Sequence, residues 1–467
     1  MYLYEVINYM KRNNDIYIKA LSLAVPMMIQ NGITNAVGLI DNLMVGSLGT
    51  ERMTAVSIVG QLIFVFNLAL FGGLSGPGIY GAQYFGQGNE EGVRNIFRLK
   101  LWISILVVFI GICTFSLFGD NLINLYLQGE AADIDTVLTL NTAREYLMIM
   151  IIGLFPFALT QVLSGSLRET GESIKPMIAG MGSVVTDIVF NYLLIFGKFG
   201  CPKMGVKGAA VATVIARVVE LGILVIWTKK EINKHSFLKG VFKKLIVPFE
   251  LSKKVIINGL PIFLNEFLWA GGLAFMTQNY STRGLSIVAG CNIANTLCNL
   301  LNVVFIAMGN AVGIIVGQML GASDYERAKK DSVKLMKFTG ILCAGLTVVL
   351  ICVAKYFPLL YSTTDEVRQI GTRFIILTAL FFPIQGYLNA LYFTLRSGGK
   401  TIITFLFDSI YTWLIPVPVS LVLCRYTGIS IYIIFILIQS ADILKVIIGY
   451  FLIKKGIWIT NLVEEAT

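Results

Sequence analysis

Apolar runs of roughly 20 residues recur along this chain of 467 residues, and they restrict the fold more than any other feature. A run of that length lets an α-helix cross the hydrocarbon part of a bilayer. Only 14% of the residues are charged, whereas soluble domains carry about 25%. The sequence therefore predicts an all-α integral membrane protein. We number the predicted spans 1 to 12 in chain order, at 19–46, 53–83, 97–118, 139–165, 175–198, 207–228, 255–280, 285–316, 333–354, 369–394, 401–424 and 428–452.

The Lys and Arg residues are distributed unevenly between the two sides of these spans. When residues near the end of a span are counted with the adjacent side, 25 of the 37 lie on the side of the N-terminus and 10 lie on the other side, while Arg217 and Lys445 lie within the interior of spans. Because cytoplasmic loops carry the excess of positive charge, we predict that both termini are cytoplasmic and that the chain lies in the cell membrane. The basic segment 229–254 is interpreted as a linker that touches anionic lipid, not as a nucleic-acid site.

The chain contains an internal repeat. The segment AQYFGQGNEEGVR at 82–94 aligns with GQMLGASDYERAK at 317–329 under a constant shift of 235 residues. Each half then holds six spans, so both halves cross the membrane in the same direction and should be related by a pseudo-two-fold axis along the membrane normal. We predict an N-lobe at 1–228, a linker at 229–254 and a C-lobe at 255–467. Two lobes around a cavity are typical of alternating-access transporters.

Three of the carboxylates within the apolar spans are candidates for a functional site. Asp41 lies in GLIDNLMVGSLG at 38–49, Asp187 lies in span 5 one helical turn before Asn191, and Glu266 lies in span 7. The repeat places Met276 opposite Asp41, so the carboxylates are not a structural need of the duplicated scaffold. Intramembrane ionisable groups cost free energy and usually face a cavity or a partner. Such groups can exchange a proton or hold a hard cation such as Na⁺, and the residues alone leave both alternatives open, as well as an interfacial, water-exposed Asp41.

Span 8 carries four asparagines at spacings of 3, 4 and 3 residues, which places them within an arc of about 80° on one helical face. The two interpretations are hydrogen bonding between helices and a wet stripe that faces a cavity. The four residues are Asn292, Asn295, Asn299 and Asn302.

Two further charged pairs are interpreted as structural. Arg217 with Glu220 and Asp442 with Lys445 each have an i,i+3 spacing, so each pair is expected to neutralise itself. Asp408, in span 11, is expected to contribute to lobe packing or to a gate.

The stretches DNLMVGSLG, GAQYFGQGNEEGVR, LSGSLRETGESIKPM and GQMLGASDYERAK resemble the multidrug and toxic compound extrusion (MATE) family of antiporters. The resemblance implies twelve helices in two six-helix lobes around a cavity that opens to either side in turn. It also implies export of cationic, often aromatic, organic compounds in exchange for H⁺ or Na⁺.

The resemblance also implies an ion site in the N-lobe. Asp41 matches the family's aspartate in helix 1, Asp187 and Asn191 match its Asn/Asp pair in helix 5, and Thr213 matches its threonine in helix 6. In one branch of the family the helix 5 pair stands in the opposite order, so here the carboxylate is moved by one turn. Asp41, Asp187 and Asn191 would hold the Na⁺ ion if sodium is the coupling ion.

A second site in the C-lobe is implied by Glu266, which matches a glutamate in helix 7 of another branch. The aspartate that this branch carries in helix 10 is missing, and Gln385 is among the amides that remain there. The C-lobe site would therefore combine Glu266 with neutral amides, or Glu266 would contact a cationic substrate directly. Pro26 resembles a proline linked to bending of helix 1. The amides proposed for this site are those of Asn292, Asn295, Asn299 and Gln385.

Two other functions remain as alternatives. A lipid-linked saccharide flippase of related two-lobe design would need a more cationic cavity, and an intramembrane enzyme would need a nucleophile or metal motif that the sequence lacks. We therefore expect no enzyme activity, no cofactor beyond the coupling ion and no nucleic-acid partner. The expected partners are a small-molecule substrate, the coupling cation and the lipid bilayer, and the expected oligomeric state is a monomer.

Overall fold

The computed structural model describes residues 15–127 and 135–464, and no β-strand occurs in them. The prediction that both termini are cytoplasmic concerns the two ends of the chain, which lie outside the described residues. Short 3-10 turns at Ser236–Leu238 and Phe357–Leu360 and a π-helical turn at Leu406–Ile410 accompany the α-helices. We number these helices in chain order: α1 Ile16–Gly46, α2 Thr50–Gln87, α3 Glu90–Leu127, α4 Thr136–Ile152, α5 Leu154–Glu169, α6 Ile174–Phe196, α7 Val206–Lys230, α8 Phe249–Ser281, α9 Leu285–Gly321, α10 Tyr325–Ala354, α11 Asp365–Ser397, α12 Thr401–Phe405, α13 Tyr411–Leu414, α14 Pro416–Tyr426 and α15 Ile431–Lys455.

Eleven helical segments of the described chain are long and apolar enough to cross a membrane. The number reaches twelve when α4 and α5, which meet at an angle of 45°, count as one span. The prediction of an all-α membrane fold is thus confirmed. Predicted span 11 corresponds to α12, the π-helical turn, α13 and α14 together, and it is less regular than its apolar pattern indicates.

The break between α4 and α5 has a local cause. Pro156 lacks the N–H that would bond to the carbonyl of Ile152, so the helix cannot continue through this point without losing a hydrogen bond. Gly153 at the junction also admits a close neighbour, because a Cβ there would lie 3.1 Å from the side chain of Val214. The bend therefore gives α7 room to pack against α4 and α5.

The chain forms two compact units. Among the described residues, the C unit consists of 15–28, 82–89 and 253–464, and the N unit consists of 29–81, 90–127 and 135–252. The C unit also contains the first part of α1 and the last part of α2. The predicted lobe boundaries at 228 and 255 therefore stay a prediction. The division within α1 falls two residues after Pro26, which cannot donate the backbone hydrogen bond of a regular helix.

Part of the predicted linker packs on the N unit as an ordered segment. Three donors on α3, spaced one helical turn apart, bind three linker carbonyls that are also four residues apart. Arg94 Nε donates to Phe237 O at 3.2 Å, Arg98 Nε donates to Val241 O at 2.9 Å, and Trp102 Nε1 donates to Leu245 O at 2.9 Å. We call residues 236–245 the strap. Phe237 and Val241 are buried, so apolar contacts hold the strap as well.

Polar contacts hold the start of the linker. Lys175 Nζ donates to Glu231 Oε2 at 2.6 Å and lies 3.2 Å from His235 Nε2. The hydrogen bond from Lys175 lowers the pKa of Glu231. Burial, and then the nearby ammonium of Lys175, lower the pKa of His235, which therefore stays neutral at physiological pH.

The repeated motif forms a close helix crossing within the C unit. A Cβ on Gly86 would collide with the backbone carbonyl of Gln318, and a Cβ on Gly321 would collide with that of Gln83. The shift of 235 residues relates Gly86 to Gly321 and Gln83 to Gln318. The ends of α2 and α9 therefore meet through equivalent glycines, where only a hydrogen atom fits.

Candidate ion and substrate sites

Three of the residues predicted for the ion site meet within the N unit. Asp41 lies near the end of α1, while Asp187 and Asn191 lie one turn apart on α6. Asn191 Nδ2 donates to Asp41 Oδ1 at 2.8 Å and to Asp187 Oδ2 at 3.3 Å. Asp187 is only 7% exposed and Asn191 only 1%, whereas Asp41 is half-buried. One amide group thus bridges two carboxylates at the edge of the protein interior.

Oxygen atoms dominate the inner side of this cluster. Asp187 Oδ1 and Asn191 Oδ1 are buried and have no hydrogen-bond partner among the described residues. The hydroxyl of Thr213, on α7, donates to Ala209 O at 3.1 Å and also interacts with the Asp187 carboxylate. Buried polar atoms without partners cost free energy unless something binds them. Carboxylate, amide and hydroxyl oxygens are ligands that suit Na⁺ or a shared proton.

Two residues near this cluster were not predicted as part of the site. Tyr146 on α4 is buried and interacts electrostatically with Asp41 and Asp187. Arg217 on α7 interacts with Tyr146 and Asp187, and its Nη1 is buried without a hydrogen bond in the described structure. Arg217 lies one turn after Thr213, and this i,i+4 spacing is a signal in the sequence that could have identified it.

Arg217 and Glu220 interact electrostatically as expected, but they do not form a self-contained pair. The guanidinium interacts with Tyr146 and Asp187 as well as with Glu220, and it lies 4.9 Å from the centre of the Phe157 ring. Its charge is therefore part of the environment of the ion site. The physical reason is that α7 turns one face toward both α4 and α6.

In the C unit, Glu266 lies on α8 and is half-buried. Its carboxylate interacts electrostatically with Arg396 on α11 and with Asp408 in the π-helical turn. Within residues 15–127 and 135–464, Glu266 makes no hydrogen bond to Gln385, whose amide donates instead to Asp442. The proposed grouping of Glu266 with Gln385 is thus indirect, and its role in binding stays a prediction.

The asparagine stripe lies on the exposed face of α9. Asn292, Asn295 and Asn299 are exposed, and Asn302 Nδ2 donates to Asn299 Oδ1 at 3.1 Å. These three exposed amides are not buried between helices, so the expectation of interhelical hydrogen bonds does not describe them. Amides exposed to lipid would cost free energy, which favours the interpretation of a cavity-facing stripe.

Asp442 and Lys445 also interact electrostatically, but the close ion pair of Lys445 is with Asp408. Lys445 Nζ binds Asp408 Oδ1 at 2.8 Å, while Asp442 accepts the hydrogen bond from Gln385. Lys445 reaches Asp408 because α15 packs beside the irregular segment that replaces span 11. Lys445 therefore makes its close contact with a residue outside its own helix, although the i,i+3 spacing favoured a pair within α15.

Comparison with known proteins gives a consistent result. A family model described as MatE matches residues 26–193 and 261–422. The starts of the two matched segments differ by 261 − 26 = 235 residues, which is the shift that relates the repeated motifs.

Curated relatives match most of the chain. A probable multidrug resistance protein NorM of Thermotoga maritima is 27% identical over 436 residues, which are 90% of this chain and 88% of the relative. The multidrug resistance protein MdtK of Yersinia pseudotuberculosis is 28% identical over 368 residues, 77% of each chain.

Solved structures with a similar fold cover nearly the whole chain. An outward-facing multidrug resistance MATE family transporter of the MOP superfamily has a TM-score of 0.81 at 19% identity, covering 97% of this chain and 98% of that one. A mutant of the Vibrio cholerae MATE transporter VcmN has a TM-score of 0.82 at 17% identity, covering 94% and 97%. At these identities the structures establish a likeness of fold alone.

Proposed function

The chain belongs to the MatE family of multidrug efflux transporters, and on this premise we propose that it is a cation-coupled antiporter that exports organic, cationic or aromatic small molecules by alternating access. It is a multi-pass membrane transporter and not an enzyme. The proposal includes H⁺ or Na⁺ as the coupling ion, the cell membrane as the location, cytoplasmic termini and a monomeric state. The excess of Lys and Arg on the side of the N-terminus supports this orientation.

The observation that carries the proposal is the bridge from Asn191 to the carboxylates of Asp41 and Asp187. Two carboxylates that share one amide repel each other unless a cation reduces their charge. A proton or Na⁺ is small enough to take this place. Binding and release of the cation would change the repulsion between the carboxylates on α1 and α6. The conformational equilibrium would therefore depend on whether the cation is bound.

Coupling follows when the two states of the transporter differ in their affinity for the cation. A ligand can shift a conformational equilibrium only by its differential affinity for the two states. Asp41 lies on α1, which also contains Pro26, where one backbone hydrogen bond of the helix is missing. A change in the cation site therefore acts on a helix that can bend at this proline. We propose that cation entry and substrate release are linked through this helix.

Glu266 is proposed as a contact for the cation or the substrate in the C unit. It is half-buried, and its carboxylate interacts with Asp408 and Arg396. The exposed face of Asn292, Asn295 and Asn299 would provide neutral hydrogen-bonding groups on the path of the substrate.

The test is uptake of a fluorescent organic cation into inverted membrane vesicles, with H⁺ and Na⁺ gradients imposed separately. We expect the protein to drive uptake with one of the two gradients, and Asp41→Asn and Asp187→Asn to reduce the rate at least ~10-fold, because charge is lost at a site that must hold a cation. The matched control is Asp120→Asn, the same chemical change in an exposed pair 3.5 Å from Arg144. Normal coupled uptake by both site variants would overturn the proposal.

A further inference from the structure

The ammonium group of Lys445 lies in a cage within the C unit. Its Nζ binds Asp408 Oδ1 at 2.8 Å and lies 5.5 Å from the centre of the Phe407 ring and 5.4 Å from that of Tyr411. A carboxylate together with two aromatic faces is a combination that recognises organic cations. We call Phe407, Asp408 and Tyr411 the cation cage.

The cage is built on an irregular turn. Phe407 and Asp408 belong to the π-helical turn Leu406–Ile410, and Tyr411 follows it directly. A single π turn inside a helix costs stability and often occurs at functional sites. The turn places both rings and the carboxylate around the same ammonium group.

The carboxylate of the cage is held in a fixed position. Asp408 Oδ2 accepts a hydrogen bond from Asn265 Nδ2 at 3.1 Å, and Asn265 Oδ1 accepts one from Ser409 Oγ at 2.6 Å. Asn265 Nδ2 also lies 3.3 Å from the hydroxyl of Tyr392. Asp408 is thus prepared to bind a cation whether or not Lys445 is in place.

Carboxyl groups lie around the cage on several elements. Asp408 interacts with Glu266, with Asp442 and with Lys445, and Arg396 interacts with Glu266.

The Lys445 side chain is 12% exposed and that of Asp408 is 20% exposed, so the pair is not completely enclosed. A purely structural ion pair explains one hydrogen bond, and a pair of apolar residues would often serve as well. It does not explain the two rings or the π turn.

We propose that the cation cage is a binding site for an organic ammonium group and that Lys445 is its internal occupant, which an exported compound displaces. This inference rests on the proposed function for the nature of the cargo. Lys445 then lowers the affinity of the site, because the cage is free only in the fraction of molecules in which the lysine has left it.

The test is the binding of benzyltrimethylammonium to the full-length protein in detergent, measured by isothermal titration calorimetry. If Lys445 occupies the cage at least nine-tenths of the time, Lys445→Met should raise the affinity at least ~10-fold. Lys445→Arg should retain the wild-type affinity. Asp408→Asn in the Lys445→Met background should abolish the gain, and Tyr411→Leu should reduce it more than Tyr411→Phe, which keeps the ring.

An unchanged affinity in Lys445→Met, or a gain that persists after Asp408→Asn, would overturn the inference. If Lys445→Met does not fold, Lys445→Gln provides the same comparison with a neutral polar group. Gradient-driven uptake by the wild-type protein is measured in parallel. Absent uptake with an intact affinity gain contradicts the antiporter proposal alone, whereas normal uptake without the gain contradicts the cage alone.

Discussion

Replacing Lys100 with methionine should destabilise the protein by about 3–5 kcal/mol, because the enclosed Glu169 carboxylate then loses the ammonium group that is hydrogen-bonded to it. The Lys100 side chain is 2% exposed and that of Glu169 is 14% exposed. Lys100 Nζ donates to Glu169 Oε1 at 2.6 Å and to Ser166 Oγ at 3.3 Å. A Cβ on Gly78 would lie 2.9 Å from Glu169 Oε1, so the carboxylate fills its space and little room is left for water.

A double-mutant cycle isolates the pair. Glu169→Gln should cost a similar amount, because it leaves the ammonium of Lys100 enclosed. In the double variant neither charge remains, so its loss should be at least about 2 kcal/mol smaller than the sum of the two single losses.

The assay is equilibrium unfolding in mixed micelles, followed by circular dichroism at constant pH. The control is Lys207→Met, which breaks an exposed pair with Glu145, 3.0 Å apart and about half exposed on both sides, and should cost only about 0–1 kcal/mol. A loss below about 1 kcal/mol for Lys100→Met, or additive losses in the double variant, would refute the reasoning.

Three further outcomes can be measured on the same preparation. Gly86→Val should prevent accumulation of folded protein, because its side chain meets the backbone of α9, whereas Gly222→Val, with no neighbour within 4 Å of an added Cβ, should be recovered normally by size-exclusion chromatography. The thermal midpoint of unfolding should be lower at about pH 5.5 than at about pH 7.5. Because the pKa of His235 is lowered in the folded state, the folded protein resists a proton that the unfolded chain accepts below the ordinary histidine pKa, and stability is lost as the pH falls. His235→Gln should remove that part of the pH dependence, and an unchanged profile would contradict the role of Lys175 and burial at this position. Arg98→Ala removes charged hydrogen bonds to the strap and should speed tryptic cleavage of the linker about tenfold, with an unaltered digestion rate counting against the ordered strap.

Much of the fold follows from the sequence because the signals are local. Apolar runs identified the spans, and the repeat identified equivalent positions such as Gly86 and Gly321 before their crossing was seen. The i,i+4 spacing of Asp187 and Asn191 placed them on one face of α6, where they hydrogen-bond to each other. Helical periodicity depends only on the backbone, so these relations hold wherever the helix packs.

The regularity of the spans was less predictable. The pattern of span 11 is continuous in apolar character, yet the segment divides at the π-helical turn Leu406–Ile410 and again at Pro416. Hydropathy measures the environment of a segment and not its hydrogen-bond register. The position of Asp408 therefore depended on a backbone irregularity that composition does not reveal.

The amino-acid sequence by itself determined that this chain crosses a membrane many times, that its halves are related and that Asp41 is an exception to that relation. Only the tertiary structure decided the partners of its charges. Asp41 meets Asn191, 150 residues away, and Lys445 binds Asp408 of another helix instead of Asp442 of its own. The physical reason is that periodicity is set along one helix, whereas a partner across helices depends on how whole faces pack, and a charge away from water pairs with the nearest complementary group that packing provides.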